Sequence, residues 1–245
     1  MQERWIHWAG LCGIVASFFW IAGDMLIVGE HALPEDYPLL LIRHAQAIDF
    51  GGLSAMLSAS EGRLAAGALV AALTSTLYLI GAWHLFRVAR PAGRIAWAVF
   101  GLAVFGFANA PLAHAAFYFV GMLYKTILVV PEAAHPALLA LGNQFHRVLL
   151  IAYLAAVGGF VLAFSLLAVL AGMGRTLWPR WMALVINPVS LAILGNGLPW
   201  LTPQPLRTWL GGAGISIATL ILFGLSTWLV QRSAKRARVR EAALA

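Results

Sequence analysis

Two carboxylates and a set of imidazoles and amides stand in or beside long apolar runs of this chain. Asp24 lies within FWIAGDMLIVGE (Phe19–Glu30), and Glu61 opens EGRLAAGALVA (Glu61–Ala71). His114 and Tyr118 are i, i+4 neighbours one turn beyond Pro111, with Asn109 close in depth. Asn143, His146 and Arg147 form a stripe at i, i+3 and i, i+4, Asn196 sits between Gly195 and Gly197, and His44 and Asp49 fall in an apolar connection. An ionised side chain in hydrocarbon costs about 2.5–3.5 kcal/mol even on mild insertion scales, so such groups are expected to pair inside a bundle. Asp24 is expected to pair with His114 or Arg147. The chemistry these types can do is acid–base: Asp24 or Glu61 as proton acceptor or donor, with His114 completing the catalytic set. Asn109, Tyr118, Asn143, His146, Arg147, Asn196, His44 and Asp49 would contact substrate, Arg147 through an anionic headgroup.

Each residue also has a structural reading. Asp24 can be a salt-bridge anchor, Glu61 the cap partner of Ser58, and His114 an interhelical hydrogen-bonder. Arg147 can snorkel to the surface. Trp20 reads as packing, His84 as interfacial, His7 and His135 as solvated, and Asn187 as a partner for backbone freed by Pro188.

The elements that must position these groups follow from composition. The chain has 245 residues, 62% hydrophobic and 10% charged, with mean hydropathy +0.86. A soluble domain carries about 25% charged residues, so the solvent implied is a bilayer. Six apolar windows can cross about 30 Å of hydrocarbon: 8–29, 64–86, 95–123, 148–171, 181–201 and 209–230. The expectation is an all-α polytopic bundle of about six spans, one integral membrane domain over 1–245, with a basic tail from 231 to 245. Trp residues near most window ends suit an interfacial belt. The first window runs on for about 20 residues, beyond the about 7–15 of a signal peptide's apolar core, and reads as a retained span. The single cysteine, Cys12, excludes an intrachain disulfide and cysteine-based zinc sites.

With six spans, Arg4, Arg87, Arg90, Arg94, Arg175, Arg180, Arg232, Lys235, Arg236, Arg238 and Arg240 share one side. Arg43, Arg63, Lys125, Arg147 and Arg207 lie on the other. That bias predicts a multi-pass cell-membrane protein with both termini cytoplasmic. It also explains the net charge of +7 without nucleic acid; the expected partners are membrane lipids and a lipophilic small molecule.

The two long connections, 30–63 and 124–147, both fall on the outer side. Tyr37–Phe50 is expected to form a short helix on or in the membrane, broken by Gly51–Gly52. Ser58 and Glu61 fit a capping box before the second span. Pro136 can open a helix that runs on into the fourth span. Asn187–Pro188 and Gly195–Asn196–Gly197 interrupt the fifth window, and Asn109 with Pro111 the third. No repeat relates the first half to the second, which weighs against a transporter.

No H-E-x-x-H, G-x-S-x-G, G-x-G-x-x-G or P-loop string occurs. His44, Asp49, His114 and His146 are the residue types of a zinc site but contain no i, i+4 histidine pair. Haem between His114 and His146 is a weaker possibility, and the expectation is no cofactor. The closely spaced histidine pair of ceramidase-type hydrolases is absent. Asp24 and Glu61 resemble the isolated membrane acids of emopamil-binding-type sterol isomerases and membrane terpene cyclases, without a shared motif. The strings GDMLI (Gly23–Ile27) and EGRLAAGALVA (Glu61–Ala71) resemble a group of uncharacterised six-span bacterial integral membrane proteins, which implies a fold and no activity. The functional expectation is an integral membrane enzyme acting on an isoprenoid or other lipid by carboxylate/histidine acid–base chemistry in an outer-leaflet pocket. The alternatives are a non-catalytic carrier, receptor or binding protein, and a structural membrane subunit.

Overall fold

The computed structural model of the chain describes residues 2–242; side chains of residues 2–4, 234 and 236–242 are outside that description. Arg4, Arg236, Arg238, Arg240 and the last three residues of the basic tail therefore lie outside the described residues or side chains.

The chain is all-helical among the described residues. Its α-helices are α1 (Gln2–Ile27), α2 (Ser54–Leu57), α3 (Glu61–Ala89), α4 (Ile95–Thr126), α5 (His135–Gly172), α6 (Met182–Ile186), α7 (Pro188–Gly197), α8 (Leu206–Gly211) and α9 (Gly214–Ala242). Five of them, α1, α3, α4, α5 and α9, are long and apolar enough to cross a membrane. Their outward faces carry large apolar side chains, among them Leu73, Ile151 and Leu162, all more than half exposed. Exposed aliphatic side chains around a helical bundle are what lipid contact requires, and the chain is a multi-pass membrane protein.

The fifth window is not a continuous helix. It is α6, α7 and a 3₁₀ turn (Leu198–Leu201). Pro188 cannot donate to the helical ladder, so the chain breaks at Asn187, whose backbone is extended (ψ 150°) and which caps α7. The Asn187 amide donates to the Ala183 and Leu184 carbonyls at 3.2 and 2.9 Å, and its oxygen accepts from Ser190 N at 3.0 Å. The broken element lies along α9. The Trp178 indole, four residues before α6, donates to Ser226 at 3.0 Å, and Gly195 of α7 abuts the Gly214 carbonyl. Twelve residues of α9 separate those two contacts, about 18 Å of helix.

Helix α1 packs on α3 and α9, α4 packs on α3 and α5, and α6–α7 fill the space between α5 and α9. Close approach is set by small residues. A Cβ on Gly67 would stand 2.8 Å from the Gly23 carbonyl, and one on Gly159 would stand 2.7 Å from Gly106 N. The central core is aromatic: Tyr78 stacks on Phe107 at 4.6 Å, and Phe107 meets Phe160 at 4.8 Å. Ser17, Tyr78 and Thr219 join α1, α3 and α9 through hydroxyls, with Tyr78 Oη 2.8 Å from Thr219 Oγ1. His84 is fully buried rather than interfacial, its Nδ1 donating to the Ile6 carbonyl at 2.7 Å and its Nε2 accepting from Ser226 at 2.5 Å. That cluster places the start of α1 and the later turns of α9 at the same end of the bundle.

At the opposite end, residues 28–60 fold over the helices. A second apolar cluster holds them, with Leu40, Leu53, Met56 and Leu57 packed on Leu64, Val120 and Tyr124. In place of one helix over Tyr37–Phe50 there is a π-helical turn (Leu39–Arg43) and a 3₁₀ turn (Ala45–Ala47). Side chains from α4 and α5 satisfy part of its backbone instead of a continuous ladder. Asn143 accepts from Asp49 N at 3.1 Å and donates to the Ala47 carbonyl at 2.8 Å. Lys125 donates to the Leu57 carbonyl at 3.1 Å and to the Ala59 carbonyl. The expected capping box is shifted: Ser60 is the N-cap of α3, accepting from Arg63 N at 3.2 Å, while Ser58 donates to the Glu30 carbonyl at 3.0 Å. Ser60 precedes Glu61 directly, which puts Glu61 at the first helical position, too near the cap to reach back across a turn.

Candidate functional site

Helix α1 presents Gly13, Ser17, Trp20 and Asp24 to the bundle. Gly13 lies against Phe223, Ser17 is fully buried, and Trp20 packs on Tyr78 and His114 at ring distances of 5.6 and 5.0 Å. The Trp20 indole nitrogen has no hydrogen-bond partner among the described residues. Because Gly23 and Gly67 let α1 and α3 touch, His114 of α4 reaches across to the Gly67 carbonyl, 3.2 Å from its Nε2.

That contact decides the imidazole's tautomer. A carbonyl only accepts, so Nε2 carries a proton. Nδ1 then faces Asp24 Oδ1 at 3.5 Å. A bare ring nitrogen and a bare carboxylate oxygen both offer lone pairs, so a proton on either the carboxyl or the imidazole would turn this contact into an attractive one. The other carboxyl oxygen, Oδ2, accepts from Ser216 of α9 at 2.6 Å. The order is serine–aspartate–histidine, with the carboxyl in the middle. This is not the arrangement of a nucleophilic serine, whose hydroxyl must be bonded to the imidazole.

The pair opens on a cavity of about 340 Å³. Its walls are mostly apolar: Ile27 from α1, Phe117 from α4, Val157 and Phe160 from α5, and Phe50 and Met56 from the folded-over segment. Tyr153, Asn196 and Ser216 add polar groups. A mostly apolar pocket with a few convergent polar side chains is the usual form of a small-molecule site.

Of the residues singled out from sequence, Asp24, His114 and Asn196 line this cavity. Four others hold the 28–60 segment. His44 Nε2 meets His135 Nδ1 at 3.3 Å, Asn143 pins Asp49 and Ala47, and His146 packs on Phe50 at 5.3 Å. His135, expected in solvent, is buried by that pairing. Glu61 and Arg147 are exposed at the surface of α3 and α5. Asn109 donates to the Phe105 carbonyl of its own helix at 2.8 Å, and Tyr118 packs against the second apolar cluster. The four zinc candidates are thus drawn into separate contacts. Among the described residues no group of three or more His, Cys, Asp or Glu is placed to hold a metal.

Sequence reading passed over Ser216, Tyr153 and the capping role of Arg63. Arg63 donates to the Met25 and Val28 carbonyls at 2.8 and 3.1 Å, closing the end of α1 beside Asp24. A signal for Ser216 exists: Ser216, Thr219, Ser226 and Thr227 recur on one face of the last span at i, i+3, i+10 and i+11.

A family described as "Family of unknown function (DUF6796)" matches residues 1–233. The chain belongs to this family. The matched range takes in every span, the 28–60 segment and the Asp24–His114–Ser216 group. No curated protein and no solved structure matches the chain. What DUF6796 membership carries is therefore a family and no chemistry, and the chemistry has to be read from the geometry.

Proposed function

We propose that the chain is an integral membrane enzyme that shifts a proton within a lipophilic substrate, with Asp24 and His114 as the acid–base pair. The observation that carries this reading is the approach of His114 Nδ1 to Asp24 Oδ1 at 3.5 Å, at the wall of an apolar cavity. Starting with the carboxylate and the imidazolium, Asp24 takes a proton from a substrate carbon and the C–H electron pair moves into a new double bond. The old double bond takes up the His114 Nδ1 proton at its far carbon. The pair is left as carboxylic acid and neutral imidazole, and returning the proton from Oδ1 to Nδ1 restores the start. The net change is an isomerisation that needs no oxidant, reductant or water. Ser216 holds Oδ2 in place throughout, and the Gly67 carbonyl keeps Nε2 protonated and the ring oriented. The apolar walls select a hydrocarbon. The end of the bundle that carries the cavity faces outward, and both termini are cytoplasmic, as the Lys/Arg bias favours.

The test is incubation of the purified protein in nanodiscs with a bacterial lipid extract in D₂O, read by mass spectrometry. The dyad proton exchanges with solvent, so the reading requires deuterium to enter one lipid species with the native protein and not with Asp24→Asn. A carrier or receptor would co-purify with a lipid and leave its isotope pattern unchanged. Deuterium entry that persists in Asp24→Asn also refutes the assignment.

A further inference from the structure

A second cavity, about 550 Å³, adjoins the first. The two share Val28, Ala55, Asn196, Gly211 and Gly212, so they meet at a neck. Their linings differ in kind. The inner cavity is walled by aromatic and aliphatic side chains around the Asp24 pair. The outer one carries His31, Gln204, Arg207 and Thr208, and among the described residues no Asp or Glu lines it.

Among the described residues, Arg207 is the one Lys or Arg lining either cavity. Its Nε donates to the Thr202 carbonyl at 3.2 Å and its guanidinium lies 5.6 Å over the Trp200 ring, which fixes the fork. Its two terminal nitrogens make no hydrogen bond among the described residues. The other cations at this end are differently placed. Arg63 closes α1, Lys125 closes α2, Arg43 is paired with Glu132, and Arg147 is exposed on α5 and lines neither cavity. A half-buried guanidinium held in position with donors open, in a cavity without an acid, is the chemistry that receives a phosphate or carboxylate.

We infer that the site takes an acidic amphiphile, its phosphate or carboxylate head at Arg207 in the outer cavity and its hydrocarbon passing the neck into the inner cavity. This rests on the proposed site around Asp24 and names the class of molecule that enters it. The neck suits a chain: Gly211 and Gly212 leave it without side chains on that wall, and a Cβ on Gly212 would come 2.5 Å from Val28 Cγ2. The neck also sets a ruler. Asp24 lies four residues before Val28, the residue after α1, whose N–H donates to the Asp24 carbonyl at 2.8 Å, and Ser216 lies four residues beyond Gly212. The reacting pair therefore sits one helical turn, about 6 Å, below the polar–apolar boundary. The carbons presented to it are those a few bonds from the head, not the chain terminus.

The test is binding to the full-length detergent-solubilised protein, measured by displacement of a fluorescent fatty acid. The probes are oleate, oleoyl lysophosphatidic acid, uncharged monoolein and inorganic phosphate. At least one of the two acids is expected to bind about tenfold or more tightly than monoolein, the scale of one charge-assisted contact. Arg207→Gln should bring that acid to the monoolein level without changing monoolein, while Arg207→Lys keeps the preference. Thermal unfolding of both variants confirms that the fold is intact. Inorganic phosphate at millimolar concentration should not displace the probe. Equal binding of monoolein and both acids, or an Arg207→Gln protein that still prefers acids, overturns the inference. Displacement by inorganic phosphate overturns it in favour of a free anion. Acid binding without deuterium transfer would sink the isomerase and leave the ligand class standing; deuterium transfer without head preference would do the reverse.

Discussion

Asp24→Asn separates the role of Asp24 in the fold from its role in chemistry, and the structure says what each part should do. The wild-type pair demands an acceptor toward Ser216 and, with His114 neutral, a donor toward Nδ1. An asparagine supplies both, its oxygen accepting from Ser216 and its NH₂ facing Nδ1. Stability should change by no more than about 1 kcal/mol, the size of a typical interhelical hydrogen bond in a membrane protein. Asp24→Leu removes both, leaving a buried hydroxyl and ring nitrogen without partners at about 1–3 kcal/mol each, so about 2–6 kcal/mol in all. His114→Leu leaves the buried Asp24 carboxyl with its Ser216 bond but nothing opposite Oδ1, at about 3–5 kcal/mol. Combining it with Asp24→Asn should recover part of that loss, since the amide is neutral. The assay is reversible unfolding in mixed micelles with increasing sodium dodecyl sulfate, followed by circular dichroism, beside deuterium transfer for each variant. Asp24→Asn should stay near wild type in unfolding and lose transfer completely. If Asp24→Asn unfolds as readily as Asp24→Leu, no proton lies between the two side chains and the acid–base reading fails with it.

Three further outcomes follow from the packing. Gly67→Val puts a Cβ 2.8 Å from the Gly23 carbonyl and 2.9 Å from Ile27 Cγ1; it should destabilise by about 1–3 kcal/mol in the same unfolding assay and reduce transfer by drawing α1 away from His114. His84→Leu removes the bonds to Ile6 and Ser226; a loss of about 1–3 kcal/mol is expected, with faster hydrogen exchange around Trp178 and transfer retained. Asn143→Leu removes the pin on residues 47–49; the Asp49 amide should exchange faster while α1 and α3 keep their protection, and an unchanged Asp49 rate would show that the apolar cluster alone holds the segment.

Depth along the membrane axis was legible in the sequence. Hydropathy placed the long helices, and counting from span ends put Asp24 and His114 at one level. The face of α1 carrying Gly13, Ser17, Trp20 and Asp24 followed from helical period, and each of the four points into the bundle. Pro136 opening a helix longer than a bilayer needs, and the break at Asn187–Pro188, are local stereochemistry and were also readable.

What tertiary structure alone decided is the rotation of each helix toward its neighbours. His44, Asp49, Asn143 and His146 were expected at the depth of Asp24, yet α5 turns its pair toward the folded-over segment, and the cavity receives Asp24, His114 and Asn196. The partner of Asp24 on the last span, Ser216, comes from 192 residues away in the chain. A one-dimensional pattern records how far along an axis a residue lies, because each helical residue advances by a fixed rise. The angle at which two helices present their side chains depends on where their backbones touch, and here Gly23 against Gly67 sets it.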